Sequence, residues 1–182
     1  MTQRDKAKIV KLWNNLCENT KILDVKDENC VKQYGYKVGS QFSFIKEAYQ
    51  PFFGDLSLIN GDFVVRNHGN FFTQLLVDLG EVDFVRLTKE SPQVKTLINY
   101  RDKGETENGK KIKLAKGFNF AGLEITTKHK MHLNHIYLLR SIEFWGERRY
   151  TWGKDLIFVF QPVKQDKNVV TLIWKKIRDK WV

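Results

Sequence analysis

Apolar residues recur along this chain in three textures: a helical period near the start, alternation in the middle, and longer apolar runs toward the end. In residues 2–18, Ile9, Trp13, Leu16 and Cys17 recur at helical spacing, while Arg4, Lys6, Lys8 and Lys11 spread over the other side. That pattern predicts an amphipathic N-terminal helix. From Tyr34 to Tyr49 the texture is β, with Phe42, Phe44 and Ile45 in an extended run. In Leu58-Ile59-Asn60-Gly61-Asp62-Phe63, Asn-Gly stands between two apolar runs. Such a pair favours the two-residue type I′ turn, whose central positions both need positive φ, and it predicts a hairpin at about 55–66.

Phe72, Leu75, Leu76 and Leu79 form the stripe of a short helix at 70–79, with Gly80 placed to end it. Glu81 to Leu87 alternates like a strand. Ser91-Pro92 opens a second internal helix, with Ser91 as N-cap, Pro92 at the first helical position, and Val94, Leu97 and Ile98 facing inward. Residues 101–117 are polar and punctuated by glycine, with a second Asn-Gly at 108–109, and read as the end of a long hairpin. Residues 126–134 alternate again. Thr127, His129, Met131 and Leu133 share one face; Lys128, Lys130, His132 and Asn134 share the other.

Leu156 to Val163 reads as a buried strand and Gln165-Asp166-Lys167-Asn168 as a turn. Val169 to Ile177 fits either a partner strand or a helix, because Val170, Trp174, Ile177 and Trp181 also keep a period of 3.6. The expected fold is therefore α+β in one domain spanning 1–182. It has an N-terminal helix, two short internal helices and a mainly antiparallel sheet concentrated in the C-terminal half.

Composition supports a globular chain, with 42% hydrophobic and 29% charged residues and no repeat or Pro/Gly-rich linker. The segment MTQRDKAKIVK lacks the apolar core of a secretory signal, and the longest apolar run, Leu156 to Phe160, is too short to cross a bilayer. Two cysteines, Cys17 and Cys30, do not make a disulfide framework. Together these features predict a soluble, cytoplasmic protein with no membrane partner.

Charge changes the picture most. Residues 1–100 hold 13 basic and 12 acidic side chains, a net of +1; residues 101–182 hold 18 and 9, a net of +9. Such asymmetry points to a polyanionic partner. The segment 140–154 interleaves Phe144, Trp145, Tyr150 and Trp152 with Arg140, Arg148, Arg149 and Lys154. Arginine supplies bidentate phosphate contacts, and aromatic faces stack unpaired bases. The bland alternative makes Trp145 and Trp152 core partners across a hairpin.

The expected function is non-enzymatic nucleic-acid binding. Lys110, Lys111, Lys113, Lys116, Lys128, Lys130, Arg148 and Arg149 supply phosphate contacts, and Tyr150 and Trp152 supply stacking. An alternative is an interaction or assembly module that binds a nucleoprotein or acidic protein partner, with self-association open.

Catalytic templates are weak. His129, His132 and His135 have a suggestive spacing, but on a strand the outer two stand roughly 20 Å apart and the middle one points away. On a helix they converge, so a metal reading depends on the secondary structure. Asp62, Asp78, Glu81, Asp83 and Glu124 could serve a metal-dependent nuclease, yet they lack a compact carboxylate–lysine spacing. Pairing Cys17 or Cys30 with His68 is not dictated by the sequence. No cofactor motif occurs, and no cofactor is expected.

Overall fold

The computed structural model describes residues 7–13, 41–49, 54–65, 72–100, 113–145, 152–166 and 169–181. Alternation governs the first of these segments. In β1 (Lys8–Trp13), Val10 and Leu12 are buried, while Ile9 and Lys11 face out. This is a strand and not the expected N-terminal helix, because it pairs antiparallel with residues 169–174 along its whole length, and an extended chain buries every second side chain.

Five more strands precede the helix: β2 (Gln41–Ser43), β3 (Ala48–Tyr49), β4 (Leu56–Ile59), β5 (Asp62–Val64) and β6 (Phe72–Asp78). The hairpin of β4 and β5 turns as its sequence predicts, with φ of 51° at Asn60 and 82° at Gly61. β6 overturns the helix expected at 70–79. Its apolar run is buried on both faces, with Leu75 and Val77 in one core and Leu76 in the other. A two-sided strand is apolar nearly throughout, so it imitates a helical stripe. Gly80, at φ 70°, ends a strand and not a helix.

The stretch Glu81 to Leu87 is also not the strand its alternation suggested. Asp83 Oδ1 accepts from the amides of Val85 (2.9 Å) and Arg86 (3.4 Å), and this local turn sends Phe84 and Leu87 into the core. The one predicted helix that forms is α1 (Pro92–Asn99), with Val94 and Leu97 buried. Ser91 precedes it, but its hydroxyl does not cap the helix; it accepts from the Thr88 amide at 3.0 Å.

A helical turn at 113–116 and the hairpin of β7 (Phe118–Phe120) and β8 (Leu123–Ile125) follow. Then come β9 (Lys128–Lys130), β10 (Tyr137–Trp145), β11 (Trp152–Asp166) and β12 (Val169–Trp181). The open choice at 169–181 resolves to a strand, which pairs antiparallel with both β11 and β1. The fold is thus mostly β, and the α+β expectation fails at two of its three helices.

Two five-stranded antiparallel sheets carry the architecture. The larger runs β1-β12-β11-β10-β6 and the smaller β3-β2-β4-β5-β9. Phe42, Phe44, Leu56, Leu58 and Phe63 of the smaller sheet pack against Leu139, Phe158, Phe160, Leu172 and Trp174 of the larger. The larger sheet's other face buries Leu75, Leu138, Ile157 and Val159 under α1, the β7–β8 hairpin and the 84–87 turn. Three layers result, with the long sheet in the middle.

Thr126 and Thr127 join the two sheets along one side. Thr126 exchanges both backbone hydrogen bonds with Leu76 on β6, while the Thr127 carbonyl accepts from Val65, just past β5. Among the described residues, no helix is long and apolar enough to cross a membrane.

Candidate functional site

β9 is the edge strand of the smaller sheet, and its register decides where its charges point. Phe63 and His129 are cross-strand partners, with Phe63 fully buried, so His129 faces inward while Lys128 and Lys130 face out. Lys128 spends its charge locally, with Nζ 2.7 Å from Asp62 on the neighbouring strand. Lys130 is exposed and makes no ion pair among the described residues.

The turn at 113–116 docks directly before β9. The Leu114 carbonyl accepts from Thr126 Oγ1 at 3.1 Å and from the Thr127 amide at 3.2 Å, while the Leu114 side chain is buried. This seats Lys113 and Lys116 beside the strand that carries Lys128 and Lys130. Lys113 lies over the Phe118 ring at 4.7 Å, and Lys116 is exposed.

The fold therefore brings four of the ten expected contact residues into one neighbourhood. Lys110, Lys111, Arg148, Arg149 and Tyr150 lie outside the described residues, as do Cys17, Cys30 and His68. Trp152 is described by its backbone, which pairs with Trp145 as the last rung of the β10–β11 hairpin. That rung is six residues along β10 from Leu139, which shares its row with Leu76 and Thr126. The separation along the strand is about 20 Å, so the hairpin end and the lysine group are two places and not one.

The charge count also needs correction. Three cations of the basic half are consumed inside the fold. Arg140, 2% exposed, donates from Nε (2.8 Å) and Nη2 (3.0 Å) to the two carboxylate oxygens of Asp155. Its Nη1 reaches the carbonyls of Leu97 (2.6 Å) and Tyr100 (2.9 Å), the free acceptors at the end of α1. Arg178 Nε adds a second cation to Asp155 at 3.0 Å, and buried Lys175 donates to the Val85 carbonyl over the Phe84 ring. A sequence count cannot tell such interior cations from surface ones; only Asp155, set against the apolar run Leu156 to Phe160, hints at a buried partner.

Beyond β9 the chain turns, which overturns the long strand expected for 126–134. Asn134, at φ 65°, donates its amide to the Pro162 carbonyl (2.8 Å), and its own carbonyl accepts from Gln161 Nε2 (3.0 Å). The Tyr137 hydroxyl donates to the Lys130 carbonyl (2.8 Å) and accepts from the His132 amide (2.9 Å). Burial, with Asp78 adding to it, pushes that phenol well above its ordinary range, so it stays a donor.

The turn brings His132 and His135 together, with ring centroids 4.8 Å apart and planes inclined by 31°. His135 Nδ1 lies 3.0 and 3.1 Å from the oxygens of Asp78. The extended-strand distance expected for these histidines fails because the chain does not stay extended. Even so, among the described residues no three His, Cys, Asp or Glu side chains converge to hold a metal ion.

What the fold defines is an antiparallel β-sandwich capped on one face by a short helix and a hairpin, with a lysine- and histidine-bearing edge. No protein-family model matches the chain, and neither a curated protein nor a solved structure matches it.

Proposed function

We propose that this protein binds nucleic acid by phosphate contact along the β9 edge, with Lys116 and Lys130 as the principal cations there. The observation that carries this reading is the docking of the 113–116 turn on Thr126 and Thr127 through the Leu114 carbonyl. It gathers lysines from two chain segments beside one edge strand. Lys128 contributes less, because Asp62 already balances its charge. Lys113, partly covered by its ring contact, is a lesser contributor too. Arg148, Arg149 and Tyr150, outside the described residues, and Trp152 complete the set of contact residues in this reading.

A mobility-shift salt series tests the proposal. Log affinity falls linearly with log salt, and Lys116→Gln or Lys130→Gln each lowers the slope by about 0.7 to 0.9. Lys128→Gln changes it less. No shift at low salt with single-stranded DNA, duplex DNA or RNA removes the reading.

A further inference from the structure

We infer that Trp181 and Lys154 form a stacking site for an unpaired base; this rests on the nucleic-acid reading above and names single-stranded nucleic acid as the form bound. The placement follows from register. Along β11, Leu156, Phe158 and Phe160 face the smaller sheet, so Lys154, two residues before Leu156, stands on the same side. Trp181 is its cross-strand partner on β12, and Lys154 Nζ lies 4.8 Å from the centre of the indole.

Two tryptophans of β12 thus share this side of the long sheet, and they meet opposite fates. Trp174 packs against the Phe42 and Phe44 rings and is 3% exposed. Trp181 is 58% exposed. Among the described residues it is the only Phe, Tyr or Trp side chain left exposed. An indole in water forgoes the burial that draws the other described rings toward the core, and its flat π face is the surface on which a base stacks.

The surrounding charges suit a nucleotide. The Lys154 ammonium supplies a countercharge beside the ring for the phosphate that accompanies a stacked base. Asp179, two residues before Trp181, is balanced by Lys176 at 2.7 Å and so does not repel that phosphate strongly. Glu143 occupies the β10 position opposite Lys154. An acidic residue in that row means that the ring, more than the lysine, carries the affinity. The site is separate from the β9 edge. Glu143 lies four residues along β10 from Leu139, which is level with Leu76 and Thr126, a distance of about 13 Å along the strands. β12 is also three places from β6 across the long sheet.

The experiment is fluorescence anisotropy with labelled oligo(dT) and an equally long abasic DNA strand, which carry the same charge and differ only in their bases. The wild type binds oligo(dT) about tenfold more tightly than the abasic strand. Trp181→Ala removes most of that preference and keeps the salt slope of the wild type, whereas Trp181→Phe, which retains a ring, keeps part of the preference. Urea midpoints equal to that of the wild type show that the variants fold. Lys154→Gln lowers the slope by about 0.7 and leaves the preference in place; an unchanged slope removes the lysine from the site. A preference unaltered in W181A, or an equal loss on both strands, overturns the stacking site and leaves the phosphate contacts of β9 standing. A wild type that binds neither these strands nor duplex DNA or RNA at low salt overturns both.

Discussion

On the side of the long sheet that meets the smaller sheet, the core is rich in rings set among leucines and valines. Phe44 lies 5.1 Å from both Phe158 and Trp174, and Phe63 lies 5.0 Å from Tyr137. On the opposite side, under α1, it is mainly aliphatic and contains the Arg140–Asp155–Arg178 group. The difference follows from the partners. Two sheets present matching rows of alternating side chains, so large rings interdigitate and apolar contact dominates their placement. An eight-residue helix has too little surface and too few turns to hold itself in place. Its position is set by directional hydrogen bonds from Arg140, which the sheet below supplies.

Breaking each side in turn tests that contrast. Phe44→Ala removes a ring that joins both sheets, and it costs about 3–5 kcal/mol in urea unfolding, with protection from hydrogen exchange falling across all strands. Arg140→Ala costs a similar amount, about 3–5 kcal/mol, because Asp155 is left with one cation and the α1 carbonyls with none of Arg140's donors. Its signature differs: amides of α1 lose protection first, while β11 and β12 keep theirs. Equal loss in both regions would mean that the cap and the sandwich are one cooperative unit.

A smaller effect isolates a single buried charge on the sandwich side. Asp55 accepts from Ser43 Oγ (2.9 Å), the Ile45 amide (3.2 Å) and Gln74 Nε2 (3.0 Å). Burial nonetheless pushes its carboxyl up from 3.8 to about 6, outweighing the hydrogen bonds led by Ser43. The folded state therefore holds the proton more tightly than the unfolded chain. This group's contribution to stability rises as pH falls from about 6 to about 4, by roughly 3 kcal/mol at most. Urea midpoints of the wild type and Asp55→Asn, compared at both ends of that window, measure it. Equal pH dependence in the two proteins contradicts the assignment.

Smallest is Gly61→Ala, at about 1 kcal/mol in thermal unfolding. A Cβ there meets no atom within 4 Å, so only the φ of 82° is penalised.

Local chemistry was legible in the sequence where it alone decides the structure. Asn60-Gly61 gave its turn, and Ser91-Pro92 marked the start of α1, because positive φ and a missing amide act within a few residues. Longer patterns misled when a segment's surroundings had two sides. β6 reads as a helix because both its faces are buried, and β1 because Ile9 and Trp13 happen to stand four apart. At the candidate edge, the lysines of β9 were visible, but their sharing a neighbourhood with the 113–116 turn depends on a tertiary hydrogen bond. The pairing of His132 with His135 depends on the turn at Asn134, a residue that tolerates positive φ but does not announce it.

The crossing at Thr126 and Thr127 laces one margin of the sandwich with backbone hydrogen bonds. β6 and β9 share that fastened spine, whereas β1 and β3 end the two sheets on the far side, where the exposed Lys8–Glu47 pair reaches across. An exposed pair of this kind holds weakly. What closes that far margin is packing: Val10 and Leu12 of β1 are buried in the shared core, and the Phe42 and Phe44 rings lie 6.0 and 5.1 Å from Trp174, so the sandwich is laced by backbone hydrogen bonds on one side and by side chains on the other.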